Sequence, residues 1–188
     1  MLVSNPFLME YMMDIFEAIA KRHSYRGAFT DASVTTEDLK TIVFAGLTAP
    51  SGCNAQTTEF VIIDDQAIVA DINKMHDSNK AMQQAKTYIA CIVAKDPKPV
   101  YEGLSFEVED CAAAVQNMLL AITALDYSTV WIDGWLRREQ RAEKIGEMVN
   151  LPDDKIVRIL LPIGIAADEW KQPAKKPFEE RAFFNKYK

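Results

Sequence analysis

Arg22-His23-Ser24-Tyr25-Arg26 brings two guanidinium groups, an imidazole and a hydroxyl into five consecutive positions. Arginine donates forked, charge-assisted hydrogen bonds, so such a cluster suits a phosphate or an electron-rich heterocycle. The same cations also suit a solvated helix C-terminus, where they complement the macrodipole, and on spacing alone that reading is the commoner one. A second polar group lies in Pro50-Ser51-Gly52-Cys53-Asn54-Ala55-Gln56. Asn54 and Gln56 carry amides that both donate and accept, as an imide-like ring edge requires, although the composition is equally that of a plain turn. Lys175-Lys176-Pro177 offers another cationic pair, either solvated or turned to an anion.

No self-sufficient catalytic set accompanies these groups. The chain has no G-x-G-x-x-G after a strand, no Walker loop, no H-E-x-x-H and no G-x-S-x-G, and its two histidines are His23 and His76. Catalytic reactivity, if present, therefore has to come from a cofactor.

The elements that position these groups follow from periodicity. Ile15, Phe16 and Ile19 recur at helical spacing from Asp14 to Ala20, which puts the basic cluster at a helix end. A second helix is predicted from Thr35 to about Thr48. Thr35 with Asp38 resembles a capping box, Val34 with Leu39 a hydrophobic staple, and Pro50 stops the run. The Ser51–Gln56 loop then leads into a strand at Glu59–Ile63, with further strands predicted at Thr87–Ala94, Thr129–Ile132 and Ile156–Ile165. Between Glu109 and Leu125 lies an almost continuously apolar helix with acids at its start. A helix apolar all round is a buried one, and in a chain this short a partner subunit is expected to cover part of it.

The 188 residues allow one domain, with an N-terminal extension over 1–13 and a C-terminal arm over 168–188. The arm is interrupted by Pro173 and Pro177 and carries Trp170, Phe178, Phe183, Phe184 and Tyr187, aromatics expected to dock on this subunit or its partner. A net charge of -6 argues against nucleic-acid or anionic-membrane partners. Met1–Met13 lacks the basic flank of a signal peptide, and no later run reaches the roughly 20 apolar residues that span a bilayer. Cys53, Cys91 and Cys111 are too scattered for a disulfide framework or a zinc site, which suits a reducing, cytoplasmic setting.

Taken in order, the segments resemble the nitroreductase family from about Asp14 to Arg181. Ala20 to Arg26 is similar to its R-[RH]-S-x-R opening, and Ala49-Pro50-Ser51-Gly52-Cys53-Asn54-Ala55-Gln56 to its A-P-S-x-x-N-x-Q loop. Gln116-Asn117-Met118-Leu119-Leu120-Ala121, Trp131-Ile132-Asp133-Gly134, Leu161-Pro162-Ile163-Gly164 and Lys175-Lys176-Pro177 follow in the family's order. The resemblance implies an α+β fold, with a mixed or antiparallel central sheet flanked by helices, and an intertwined homodimer holding FMN between subunits. It implies Arg22 and Lys175 or Lys176 at the FMN phosphate, with His23 and Ser24 beside them and Arg26 near the pyrimidine edge. Ser51, Asn54 and Gln56 would come from the partner or the facing loop. Asp133 and Gly134 would present backbone N–H groups to the reactive ring nitrogen, and Asn79 and Lys80 are added without a motif to anchor them. No residue is assigned a catalytic or metal-binding role. NADH or NADPH would reduce the flavin, which would then reduce a small electron-poor acceptor such as a nitroaromatic or a quinone in ping-pong fashion.

Two departures stand out. Thr57-Thr58 follows Gln56 where the family commonly continues with Pro-Trp, and Asp126 replaces a frequent turn glycine. Tyr101, Phe106 and Trp135 suit either the acceptor side or the core. Alternative readings are dehalogenating or fragmenting chemistry on the same flavin, a flavin- or partner-binding module without turnover, and an interaction protein that merely dimerises.

Overall fold

The computed structural model describes residues 13–76, 78–170 and 172–188, so the extension expected over 1–13 lies outside the described residues up to position 12. Four strands, β1 (Glu59–Ile63), β2 (Thr87–Ala94), β3 (Ser128–Thr129) and β4 (Lys155–Gly164), form an antiparallel sheet in the order β1-β2-β4-β3. The helices are α1 (Ile15–Lys21), α2 (Thr36–Leu47), α3 (Gln66–Lys74), α4 (Lys80–Gln84), α5 (Glu107–Ala124), α6 (Arg141–Met148) and α7 (Phe178–Arg181).

Strand alternation divides the core into two layers. Ile89, Cys91, Val93, Ile159, Leu161 and Ile163 face α2 and α5, while Tyr88, Ala90, Ile92, Val157 and Leu160 face α3, α4 and α6. At the centre of the second layer the Tyr88 hydroxyl reaches Asn73 Oδ1 at 2.7 Å and the Met82 carbonyl at 2.6 Å, which ties α3 and α4 to the sheet.

α2 begins at Thr35, whose hydroxyl accepts from the Asp38 amide at 3.1 Å and donates to Asp38 Oδ2 at 2.7 Å. The box is not reciprocal, because the Asp38 carboxylate also accepts from the Tyr127 hydroxyl at 2.8 Å. That bond fastens the start of α2 to the chain just beyond the end of α5. Asn117 Nδ2 donates to the Ala45 carbonyl at 3.1 Å and joins the two helices again further along.

β3 is shorter than the predicted Thr129–Ile132, and Pro162 is the reason. Thr129 pairs with Ile163, and Ile132 exchanges both backbone bonds with Leu160 at 3.0 and 3.1 Å, so the register is continuous. Pro162 stands opposite Val130 and has no N–H to donate there, which splits one strand into a short ladder and an isolated bridge.

Within this chain α5 is enclosed on one side and open on the other. Cys111, Ala114, Val115, Met118, Leu119 and Ile122 are buried, but Val108 and Gln116 are exposed and Ala112, Ala113 and Leu120 only half-buried. Two helices that contact α5 also present exposed apolar side chains, Ile15, Phe16 and Ile19 on α1 and Phe44 and Leu47 on α2.

Candidate functional site

The basic segment leaves α1 at Arg22, whose amide still closes the helix onto the Ala18 carbonyl at 2.9 Å. Tyr25 then donates its amide to the Thr129 carbonyl at 2.8 Å, fixing the segment to the edge strand β3. The beginning of the C-terminal arm runs back along it. Thr30 bonds to Ile165 at 2.8 Å, Ala167 bonds to Ala28 at 2.9 Å, and the Gln172 side-chain amide donates to the Arg22 carbonyl. Trp170 packs edge-on against Tyr25, with ring centroids 5.8 Å apart. These contacts bring Lys175 and Lys176 back towards Arg22 across some 150 residues of sequence.

The cations gathered here are incompletely paired. Arg22 is half-buried and, like Arg26 and Lys175, has no carboxylate partner among the described residues. Lys176 lies 3.8 Å from Glu180, which leaves Lys175 the freer of the pair. His23 Nδ1 lies 2.9 Å from the Lys21 carbonyl, so that nitrogen donates, while its buried Nε2 has no partner among the described residues. A half-buried arginine without a carboxylate and a buried unsatisfied nitrogen are costly unless a ligand completes them.

The Ser51–Gln56 loop lies elsewhere. The Gly52 amide donates to Asp110 Oδ1 at 2.8 Å, Thr57 Oγ1 donates to Asp110 Oδ2 at 2.8 Å, and Ser51 Oγ accepts from the Gln56 amide at 3.0 Å. Gly52 has to be glycine for a contact reason, since a Cβ there would meet the Phe106 ring at 2.4 Å. Cys53, Asn54 and Gln56 all adopt left-handed backbone, which leaves the Asn54 and Gln56 side chains exposed. The loop thus sits on the first turn of α5. The basic segment lies near the other end, where Lys21 senses the charge of Asp126. The 18 residues of α5 separate the two groups by about 27 Å.

Beyond the Ile132 bridge the chain makes a turn closed by the Leu136 amide on the Asp133 carbonyl at 2.9 Å. Gly134 occupies its first corner, where the amide is not used by the turn itself. No backbone bond among the described residues uses that amide, and a Cβ on Gly134 would meet no atom within 4 Å. The Asp133 side chain is not available to a ligand. Its Oδ1 accepts from Arg137 Nε at 2.6 Å and Arg158 Nη1 at 2.5 Å, and its Oδ2 from Arg137 Nη2 at 2.8 Å.

Burial alone would raise the Asp133 carboxyl, but the hydrogen bonds and charges of Arg137 and Arg158 outweigh it and hold the group below the ordinary carboxylate range. A depressed native pKa stabilises the fold above the unfolded-state pKa, and the contribution disappears as pH falls through the native value. Asp133→Asn is therefore expected to cost about 1–2 kcal/mol at neutral pH, a figure discounted because Arg137 is solvent-screened. In urea unfolding, the gap between variant and parent should hold from pH 8 to about 5 and close below about 4. A gap unchanged at the lowest pH would contradict this assignment.

Asn79 is buried and caps α4, its Oδ1 accepting from the Met82 amide at 3.4 Å; Lys80 is exposed beside it. Trp135, next to Gly134, lies between His76 at 5.1 Å and the Arg141 guanidinium at 4.7 Å. Phe106 packs against the Gly52 loop, and Tyr101 is exposed on a tight hairpin with Leu104. The trailing arm aromatics pair with one another, Phe178 with Phe184 and Phe183 with Tyr187, yet Phe184 and Tyr187 remain 83% and 87% exposed. Sequence reasoning missed Asp110, Gln172 and Arg158. A buried acid in the first turn of an apolar helix was a visible signal for Asp110; nothing local marks the other two.

A family model described as the Nitroreductase family matches residues 19–87 and 73–165. A protein of Archaeoglobus fulgidus that carries the name NADH dehydrogenase/NAD(P)H nitroreductase is 28% identical over 158 residues, spanning 84% of this chain and 88% of its own. A protein of the same name from Methanothermobacter thermautotrophicus is 30% identical over 156 residues, spanning 83% and 79%. Among solved structures, a nitroreductase in complex with FMN from Desulfovibrio desulfuricans matches with a TM-score of 0.74 at 27% identity, over 94% of this chain and 99% of that one.

Proposed function

The chain belongs to the nitroreductase family, and on that premise we propose that it is an FMN-dependent oxidoreductase, working as a homodimer, that carries a hydride from NADH or NADPH to a small electron-poor acceptor such as a nitroaromatic or a quinone. The observation that carries the proposal is that the basic segment with its incompletely satisfied Arg22 is bonded to the edge strand at Thr129, and the open amide of Gly134 follows on the same stretch of chain just past the Ile132 bridge. FMN has this polarity, a phosphate at one end and a ring nitrogen that accepts hydrogen bonds at the other. When bound, it supplies the two-electron carrier that the chain's own side chains lack.

The residues divide the work. Arg22 and Lys175 hold the phosphate by charge-assisted bonds, with Ser24 and His23 Nε2 beside it, and Arg26 reaches towards the ring's polar edge. The Gly134 amide would donate to the accepting ring nitrogen of the oxidised flavin from a fixed position. Ser51, Asn54 and Gln56 are about 27 Å away along α5 and cannot join this set from the same chain. A two-fold partner with its α5 antiparallel brings its own loop to the basic segment, and the open apolar side of α5 with Phe16, Ile19 and Phe44 supplies the surface for that contact.

The test is visible absorption of the purified protein after incubation with FMN and removal of the excess, followed by anaerobic NADH or NADPH. Stoichiometric flavin that bleaches supports the proposal. Flavin retained without bleaching reduces the protein to a flavin-binding module, and a folded dimer that retains none sinks the reading.

A further inference from the structure

Arg158 stands at an irregularity in β4. The β2–β4 ladder passes from Cys91↔Ile159 directly to Ile92↔Val157, leaving Arg158 without a partner on β2. It is a β-bulge, and the core records it. Val157 and Ile159, two apart, should face the same side of a regular strand, yet Val157 packs with the α3/α4/α6 layer and Ile159 with the α2/α5 layer. One inserted residue has reversed the alternation, and its guanidinium, with 19% of the side chain exposed, is aimed at Asp133.

The Asp133–Leu136 turn depends on that aim. Among the described residues its last backbone bond to the sheet is the Ile132–Leu160 bridge. An aspartate opening a turn commonly folds onto an amide two residues on. Here Arg158 from the sheet and Arg137 from beyond the turn take both carboxylate oxygens, so Asp133 is anchored outwards. At the other corner Arg141 Nη1 donates to the Trp135 carbonyl at 3.1 Å, and Leu136 is buried. Gly134 is the exposed residue between these anchors, and no hydrogen bond among the described residues uses its amide.

We propose that Arg158 is a positioning residue, which acts through Asp133, with Arg137 assisting, to hold the Gly134 amide towards the cofactor's ring nitrogen and so to set the relative affinity for oxidised and reduced FMN. The inference rests on the FMN reading above. A fixed N–H donor favours the oxidised ring, whose nitrogen accepts, over the reduced ring, whose nitrogen carries a proton. Loosening the turn therefore weakens the oxidised complex more. Loss of a nearby positive charge alone acts in the opposite direction, since it disfavours an anionic reduced ring.

The experiment measures the midpoint potential of FMN bound to the holoprotein, together with amide hydrogen exchange over 133–136 in the flavin-free protein, for the parent, Arg158→Met and Arg158→Lys. Arg158→Met should speed exchange in the turn and raise the potential by a roughly tenfold change in relative affinity, about 30 mV for two electrons. Arg158→Lys, which keeps the charge and one donor, should restore most of both. Should Arg158→Met fail to fold, Arg137→Met, a more exposed arm of the same clasp, should raise the potential by about half as much. An unchanged or lowered potential in a variant that binds FMN overturns the positioning role and leaves the flavoenzyme reading intact. A parent protein that binds no FMN overturns both.

Discussion

Arg22→Ala is expected to weaken FMN binding by roughly 10- to 150-fold, the equivalent of one charge-assisted bond of about 1.5–3 kcal/mol. The melting temperature of the flavin-free protein should hardly move. The structural bonds of Arg22 are backbone ones, its amide to Ala18 and its carbonyl to the Gln172 side chain, and alanine keeps both. Its guanidinium has no carboxylate partner among the described residues to lose. Titration of FMN by fluorescence quenching, at two salt concentrations, reads the effect, and the salt dependence of affinity should shrink along with it. Unchanged affinity would return Arg22 to the role of a solvated helix end.

Gly164→Ala should be among the most destabilising conservative changes in the chain, at about 2–3 kcal/mol, and should lower Tm by about 5–10 °C. A Cβ at this position would lie 2.6 Å from Phe29 Cγ and 2.8 Å from Cδ1, the root of the ring rather than its flexible end. Phe29 is buried among Tyr25 and Leu160 and cannot swing out without opening the core. It also sits in the bridge to Ala166 that begins the pairing of the arm with the basic segment. The variant should therefore lose FMN affinity as well, although Gly164 touches no proposed ligand group. Thermal unfolding alongside FMN titration checks both effects; a stable variant with weakened binding would mean that Phe29 relaxes towards the arm instead of into the core. The Leu161-Pro162-Ile163-Gly164 motif thus has a structural meaning at two positions: Gly164 admits Phe29, and Pro162 interrupts β3.

Most of the secondary structure was legible. β1 and β2 begin and end where apolar, branched runs meet polar residues, and α2 starts at Thr35 because its hydroxyl accepts from the helix's own orphan amide. Such signals are local, involving neighbours within one or two turns. The order of the motifs also identified the family, and with it a mixed or antiparallel central sheet, of which the structure has the antiparallel form. β3 was over-read because the break in it comes from Pro162, some thirty residues away on the adjacent strand. Which side of α5 stays open within the chain was not legible, because composition reports how apolar a helix is and not which elements pack on each side of it.

The sequence by itself determined which chemistries were available: guanidinium and ammonium groups for an anion, amides for a polar ring edge, an amide-bearing glycine, and no side-chain set able to carry electrons. It determined the helices and strands on which these stand, because helical and strand periodicities are properties of consecutive residues. Tertiary structure decided which of these groups meet. Gln172 and Trp170 bring the arm back to Arg22 and Tyr25, and α5 keeps Asn54 and Gln56 at the far end of the chain's own site. A one-residue bulge turns Arg158 from an ordinary strand residue into the anchor of the Gly134 turn. Side-chain direction in a strand has a period of two residues, so a single insertion reverses it, and only the register against a partner strand more than sixty residues away shows where that insertion lies.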